Sequence, residues 1–390
     1  MKKIAYITGT RADFGRMMYT LKEIQNSEEL ELQLIVTGMH LSSQYGSTIK
    51  EIEKDFKVNS KVEMLLASDS GSSMAQSLGF GIINITQSLK ELEPDLLLLL
   101  GDRGEMLAGA IAASHMNIPT VHIAGGDISG TIDESIRHAI SKFAHYHLTS
   151  TKEHANRLIA MGESPERIEV VGATDLDAIL NMKLLSKKEV EQTLGITLEP
   201  SFLVLTYHPV VSEITSLELQ MRNVIKAVHE IDLQTIVISP NSDAGSNIIQ
   251  NVINEQGKTK VHVFKNIPYQ CFLSTLNLAN VMIGNSSSAI IEAPSFGLPS
   301  VNIGSRQQGR TRGNNVIDVE PDKNMIVEAV RYALNNKRFL EIANKKNNPY
   351  GQGDAYKKIV HFLENIKIED VNLNKSFYDL TNCHLNKNLI

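Results

Sequence analysis

Short, unbroken runs of Ile, Val and Leu recur along this chain at nearly regular spacing, each followed by a polar or Gly-containing turn and then a helical pattern. A strand covered on one face alternates apolar and polar residues, whereas a strand covered on both faces is apolar throughout. In the first half the runs are Ile4 to Thr8, Leu32 to Thr37, Leu96 to Leu100, Thr120 to Ile123, Tyr146 to Thr149 and Ile168 to Val171. The rhythm restarts with Phe202 to Tyr207, Thr235 to Ser239, Val261 to Phe264, Val281 to Ile283, Ser300 to Ile303 and Val316 to Val319. The pattern predicts an α/β chain with two doubly wound parallel sheets, each clothed by helices on both faces. Asn181 to Pro200 separates the two sets, and Leu185-Ser186-Lys187-Lys188-Glu189-Val190 within it has the form of a capped helix opening the second module. The expected domains are residues 1–178 and 179–365.

A chain of 390 residues accommodates two domains of ordinary size, and 42% apolar with 21% charged residues is a globular composition. The net charge of -6 offers no broad basic footprint for nucleic acid, so an anionic ligand must be small and held by local groups. Two cysteines, Cys271 and Cys383, make neither a disulfide framework nor a zinc site, which suits a reducing cytoplasm. Met1 to Ala5 runs straight into a strand pattern, and the longest apolar run, Leu96 to Leu100, is far too short to span a bilayer. The expectation is a cytoplasmic protein with no membrane segment. The Asn- and Lys-rich stretch after about Asp370 reads as a loosely held tail.

In open parallel sheets, ligands gather beyond the carboxyl ends of the strands. After the first run comes Gly9-Thr10-Arg11-Ala12-Asp13-Phe14-Gly15-Arg16, a turn opening a helix whose N–H groups and Arg11 suit a diphosphate, or simply a turn with a surface arginine. Gly284-Asn285-Ser286-Ser287-Ser288 precedes a helical pattern running from Ala289 to Phe296, a second anion signal or an ordinary serine cap. Glu292 lies one turn further, facing ribose hydroxyls in the functional reading and solvent in the bland one. Asp102, Asp127 and Asp133 sit at or just beyond strand ends, where carboxylates serve proton transfer or cap helices. Thr131 to Glu134 matches a capping box, with Asp133 in the first turn and Arg137 four residues on. Among 12 histidines, His208 stands out by position, directly after a strand and before Pro209.

Taken in order, these segments resemble the hydrolysing UDP-N-acetylglucosamine 2-epimerase family. The match includes Gly9 to Phe14, Val36-Thr37-Gly38-Met39-His40, Gly101-Asp102-Arg103, Ser129 to His138, His208-Pro209, Gly284 to Ser287, Arg306-Gln307-Gln308-Gly309-Arg310 and Asn348-Pro349-Tyr350-Gly351. The resemblance implies a GT-B-like architecture of two Rossmann-type domains with an interdomain cleft, the segment of about residues 366–390 returning to the first domain. By resemblance, Arg11, His208, Ser286 and Ser287 hold the diphosphate and Glu292 the ribose. Tyr269 and Phe272 fall at the uracil pocket and Arg306 in the closing loop. Asp102 and Asp133 carry acid and base work, with Arg137 and His208 supporting and Asp127 a further candidate. Relatives often have Glu where this chain has Ala124, within His122-Ile123-Ala124-Gly125-Gly126-Asp127.

The activity so implied eliminates UDP from UDP-N-acetylglucosamine and adds water with inversion at C2 to give N-acetylmannosamine, for nonulosonic acid synthesis. It needs no metal or redox cofactor, and family members form homodimers or homotetramers. The same reaction on a UDP-linked 2,4-diacetamido-6-deoxy sugar is the runner-up. A GT-B glycosyltransferase and a nucleotide-sugar-binding regulator that has lost catalysis stand behind it.

Overall fold

The computed structural model describes residues 1–43, 46–66, 70–129, 132–240, 245–255 and 260–380. The chain divides into two compact units. One comprises Met1–Asp127, Ile132–Ala178 and Tyr350–Ile390, the other Ile128–Thr131 and Ile179–Pro349.

The first unit holds β1 (Lys2–Thr8), β2 (Leu30–Thr37), β3 (Val58–Val62), β4 (Leu96–Leu100), β5 (Thr120–Ile123), β6 (Tyr146–Thr149) and β7 (Ile168–Val170). They form a seven-stranded sheet in the order β3-β2-β1-β4-β5-β6-β7, every pair parallel. Successive residues of one strand enter different cores: Leu96, Leu98 and Leu100 join Met17, Leu21 and Ile359, while Leu97 and Leu99 join Ile85, Leu89 and Met106. Both faces are covered, which is why the runs are apolar without a break. β3, with the sequence Val-Asn-Ser-Lys-Val, escaped the sequence reading because an edge strand needs no such run; its partly exposed polar residues pair only with β2.

The second unit holds β8 (Phe202–Thr206), β9 (Gln234–Ile238), β10 (Val261–Phe264), β11 (Val281–Gly284), β12 (Ser300–Ile303) and β13 (Val316–Val319), in the parallel order β10-β9-β8-β11-β12-β13. The helix Lys187–Leu194 opens it with the expected cap: Ser186 accepts from Glu189 N, and the Glu189 carboxylate accepts from Ser186 N at 2.7 Å. The order of each sheet reverses once, between β1 and β4 and between β8 and β11. Those reversals are where the loops part and leave a crevice.

The helix Ala355–Asn365 belongs to the first unit, so the chain returns at Tyr350 and not at about residue 366. Two polar anchors and an apolar face explain the earlier return. Asp177, fully buried, accepts from Ala355 N at 2.9 Å and Tyr356 N at 2.8 Å, satisfying donors at the helix start. Lys2 Nζ donates to the carbonyls of Leu363, Glu364 and Ile366 at its end. Ile359, Val360 and Leu363 complete the core between them.

The stretch after Asp370 is not loose as far as residue 380. Lys375 Nζ reaches buried Glu163 at 2.7 Å and the carbonyls of Ser141 and Ala144 at 3.0 and 2.7 Å, while Tyr378 N donates to Gly162 O at 2.8 Å. Cys383 lies outside the described residues; Cys271 is buried and free. Burial alone would push Glu163 up, but hydrogen bonds from His147, Lys142 and Lys375 outweigh it and hold the carboxyl at about 2. Replacing Lys375 with Met removes one of three partners from a buried carboxylate. Urea unfolding at pH 7 is expected to show a loss of about 1–3 kcal/mol, and an unchanged midpoint would mean that the tail is not anchored there.

Candidate functional site

In the first unit, Thr10 caps the helix Arg11–Asn26 and Asp13 closes the capping box. The Asp13 carboxylate accepts from Gly9 N at 3.1 Å, Thr10 N at 2.8 Å, Thr10 Oγ1 at 2.9 Å and also Thr8 Oγ1. The Gly9 and Thr10 N–H groups ahead of the helix are therefore engaged by Asp13, and Arg11 is the cationic group of this turn. Its Nη2 lies 2.5 Å from Glu51, while Arg16 pairs with Asp175 at 2.6 Å. Burial raises Asp13 to about 6 against the pull of its hydrogen bonds, with nearby Glu105 adding to the rise. Glu105 itself, 3% exposed in the first turn of the helix Gly104–His115, lies against the backbone of Gly9 and Gly38. The sequence reading passed over it two residues after Arg103, whose Nε is 3.4 Å from its carboxylate.

Beyond β4 and β5 the expected acids gather around one cation. Arg137, 3% exposed on the helix Ile132–Phe143, pairs through Nη2 with Asp102 and donates through Nη1 to Asp127 O at 3.0 Å. Burial works against the guanidinium charge, but Asp102, Asp127 and Asp133 more than offset it and raise its affinity for the proton. Asp133 sits in the first turn of the same helix, half-buried. Thr131, the expected cap, lies outside the described residues. Ala124 occupies a left-handed conformation at φ 62°, and Gly126 is left-handed too, where any Cβ would collide with the His154 carbonyl. The turn brings Asp127 Oδ1 to 3.2 Å from Nε2 of His154, a residue that no motif marked.

Two histidines frame these loops as neutral rings. Burial lowers His40 to about 4, with its ring nitrogens on Thr8 Oγ1 at 3.0 Å and Thr48 Oγ1 at 2.6 Å. Burial lowers His122 to about 3; its Nε2–H donates to Gly101 O at 2.7 Å and Nδ1 accepts from Ser141 at 3.0 Å, steadying the peptide ahead of Asp102.

In the second unit the hub is Asn285. Its Oδ1 accepts from His208 N at 2.7 Å and its Nδ2 donates to His208 O at 2.9 Å, so the ends of β8 and β11 are clasped by one amide. The Asn285 carbonyl accepts from Arg306 Nη1 at 3.1 Å and Gln307 Nε2 at 2.9 Å. This brings His208, Arg306 and the Gly284 to Ser288 turn together. Gly284 at φ 123° leaves no room for a Cβ beside the Thr206 carbonyl. Ser286 Oγ accepts from Ser288 N at 3.3 Å, and Ser287 is half-buried.

The helix expected from Ala289 to Phe296 is broken. It runs Ser288–Ile291 and resumes at Ala293–Phe296, because Pro294 has no N–H to continue the ladder. Asn348 Nδ2 takes up the Ile291 carbonyl at 2.8 Å. Glu292 at the break is 2% exposed, not solvated as a helix-surface Glu would be. Tyr269 and Phe272 share the first turn of the helix Tyr269–Leu278, both half-buried.

Among the described residues no group of His, Cys, Asp and Glu is arranged to hold a metal ion, and no helix is long and apolar enough to cross a membrane. Residues 22–364 match the family model described as UDP-N-acetylglucosamine 2-epimerase. The chain belongs to the UDP-N-acetylglucosamine 2-epimerase family. A Legionella pneumophila relative named UDP-N,N'-diacetylbacillosamine 2-epimerase (hydrolyzing) is 44% identical over 377 residues, covering 96% of this chain and 99% of the relative. A Campylobacter jejuni relative named GDP/UDP-N,N'-diacetylbacillosamine 2-epimerase (hydrolyzing) is 35% identical over 385 residues, 97% of this chain and 99% of its own length. The solved Neisseria meningitidis UDP-GlcNAc 2-epimerase bound to UDP-GlcNAc superposes with a TM-score of 0.79 at 20% identity, covering 93% of this chain and 99% of that one. This epimerase-family chain therefore has the GT-B-like class of fold, two Rossmann-type domains with parallel sheets.

The neutral His122 gives a pH test of the site's scaffold. A base with a depressed folded-state pKa contributes fully above its unfolded value of 6.5, and that contribution is lost as pH falls toward about 3. Asp13, raised to about 6, has the opposite sign: it favours the folded state increasingly as pH falls through that value. Comparing His122→Gln with wild type isolates the histidine. The stability gap is expected to narrow by about 2 kcal/mol between pH 7.5 and pH 5; a gap independent of pH would show that His122 titrates normally.

Proposed function

We propose that this enzyme hydrolyses a UDP-linked 2-acetamido sugar with inversion at C2, and that its sugar is 2,4-diacetamido-2,4,6-trideoxyglucose, the N,N'-diacetylbacillosamine of the relatives' names. The sequence reading placed N-acetylglucosamine first and this sugar second; the 44% identical Legionella relative supports reversing that order. The observation that carries the chemistry is the gathering of Asp102 and Asp127 around buried Arg137 at the mouths of β4 and β5.

In the first step Asp102 takes the C2 proton as the C1–O bond to UDP breaks, the electron pair forming the C1–C2 double bond of a 2-acetamidoglucal. Arg137 fixes the direction of that carboxylate, so the base is in place before the substrate arrives. Arg11, His208, Ser286, Ser287 and Arg306 meet the charge that grows on the leaving diphosphate, where one well-placed donor contributes about 3 kcal/mol. Glu292 holds the ribose, and Tyr269 and Phe272 flank the uracil. In the second step water adds at C1, and a proton delivered to the opposite face of C2 completes the inversion. Asp133 and Asp127 serve the proton transfers of this step. Products are UDP and the free 2-epimer; the balance consumes one water and no redox equivalent.

Incubation in deuterated water, followed by proton NMR, tests this. The diacetamido substrate is expected to give UDP and a free sugar deuterated at C2, with UDP-N-acetylglucosamine turned over roughly 10- to 100-fold less efficiently. Equal or better turnover of UDP-N-acetylglucosamine would return the first reading. Asp102→Asn is expected to lower kcat by about 10²- to 10⁴-fold while calorimetry shows UDP binding retained; wild-type turnover would remove Asp102 from the mechanism.

A further inference from the structure

The loop after β5 carries Asp127 and is held by the helix Lys152–Ala160, whose residues appear in none of the motifs. Thr151 caps that helix by accepting from His154 N at 3.2 Å. Arg157, one turn later, donates to Gly126 O, while Arg137 donates to Asp127 O. The two guanidinium groups thus secure the backbone carbonyls on either side of the Asp127 Cα. The Asp127 side chain is met by a different group: His154, 1% exposed, places Nε2 3.2 Å from Oδ1.

The other face of the arrangement is equally built. The His154 ring packs against Tyr350 with centroids 6.0 Å apart and planes at 63°, and Tyr350 is 1% exposed. Tyr350 O in turn accepts from Ala173 N at 2.8 Å. Gly126 approaches the helix so closely that its missing Cβ is a condition of the fit. Neither ring nitrogen of His154 makes a hydrogen bond of good geometry among the described residues, and the polar group its Nε2 approaches is the Asp127 carboxylate, at 3.2 Å.

We propose that His154 is a positioning residue for the hydrolytic epimerisation, aiming the Asp127 carboxylate through their buried pair. The proposal rests on the functional reading above, in which Asp127 takes part in proton transfer. A packing-only histidine would be replaceable by a ring of similar size without polar atoms; a positioning histidine would not. Carboxylates that move protons must hold their direction to a fraction of an ångström, and the two arginine clamps act on backbone carbonyls, whereas His154 meets the carboxylate itself.

The test uses full-length wild type, His154→Phe and His154→Gln, assayed with both UDP-sugars. His154→Phe keeps the contact with Tyr350 and is expected to lose between about 10- and 100-fold in kcat with KM within about twofold. His154→Gln, which restores an N–H donor, is expected to recover most of kcat even where its melting temperature is the lower of the two. In parallel, the imidazole ¹⁵N signals of His154 should shift in Asp127→Asn relative to wild type. His154→Phe with wild-type kcat, or His154 signals indifferent to Asp127→Asn, overturns the proposal while the epimerase reading stands. A wild type inert towards both sugars overturns the epimerase reading itself, and the positioning role with it.

Discussion

A guanidinium removed from water must be answered by groups of opposite charge, and the first unit is arranged around one. Arg137 is almost wholly buried, and its fork reaches the Asp102 carboxylate on one side and the Asp127 carbonyl on the other. Neither partner is near it in sequence, so the loops after β4 and β5 and the helix Ile132–Phe143 must be in register for the charge to be tolerated at all. The neutral His122 ring ties the same loops together from behind through Gly101 and Ser141. The carboxylates to which the proposed mechanism gives the proton transfers thus lie around a cation whose burial itself demands partners of opposite charge.

The second unit solves a different problem with a neutral group. Strand ends at a sheet reversal expose carbonyls and N–H groups that no neighbouring strand will pair. Asn285 answers two of them with its own amide and gathers Arg306 and Gln307 onto its carbonyl. Cationic and hydroxyl groups are thereby concentrated where the strands end.

Most of the strands were legible because burial on both faces leaves an unbroken apolar run, and nearly every run became a strand within a residue or two. β3 was not, since an edge strand with Asn, Ser and Lys in its centre lacks that signature. Asp102, Asp127, Asp133 and Arg137 were legible by position after strands and by helical spacing. His154, Glu105 and Asn285 in its role as hub were not, because each acts through a residue distant in sequence, and no local pattern encodes that. For Glu292 the structure sets aside the bland alternative of a solvated helix Glu: Pro294 breaks the helix there and the residue is buried. The role of Asp13, read only as part of a motif, was not legible either: it takes the Gly9 and Thr10 N–H groups, both ahead of the helix.

The helix Ala355–Asn365 is pinned at its start by Asp177 and at its end by Lys2, the latter across 364 positions of sequence. During synthesis, everything the second unit requires has emerged by Pro349, while the first unit still waits for its closing helix. The earlier-made half is thus the later to be finished. Until then, the apolar face that will receive Ile359, Val360 and Leu363 stands open, a period in which a nascent chain depends on being shielded from its neighbours.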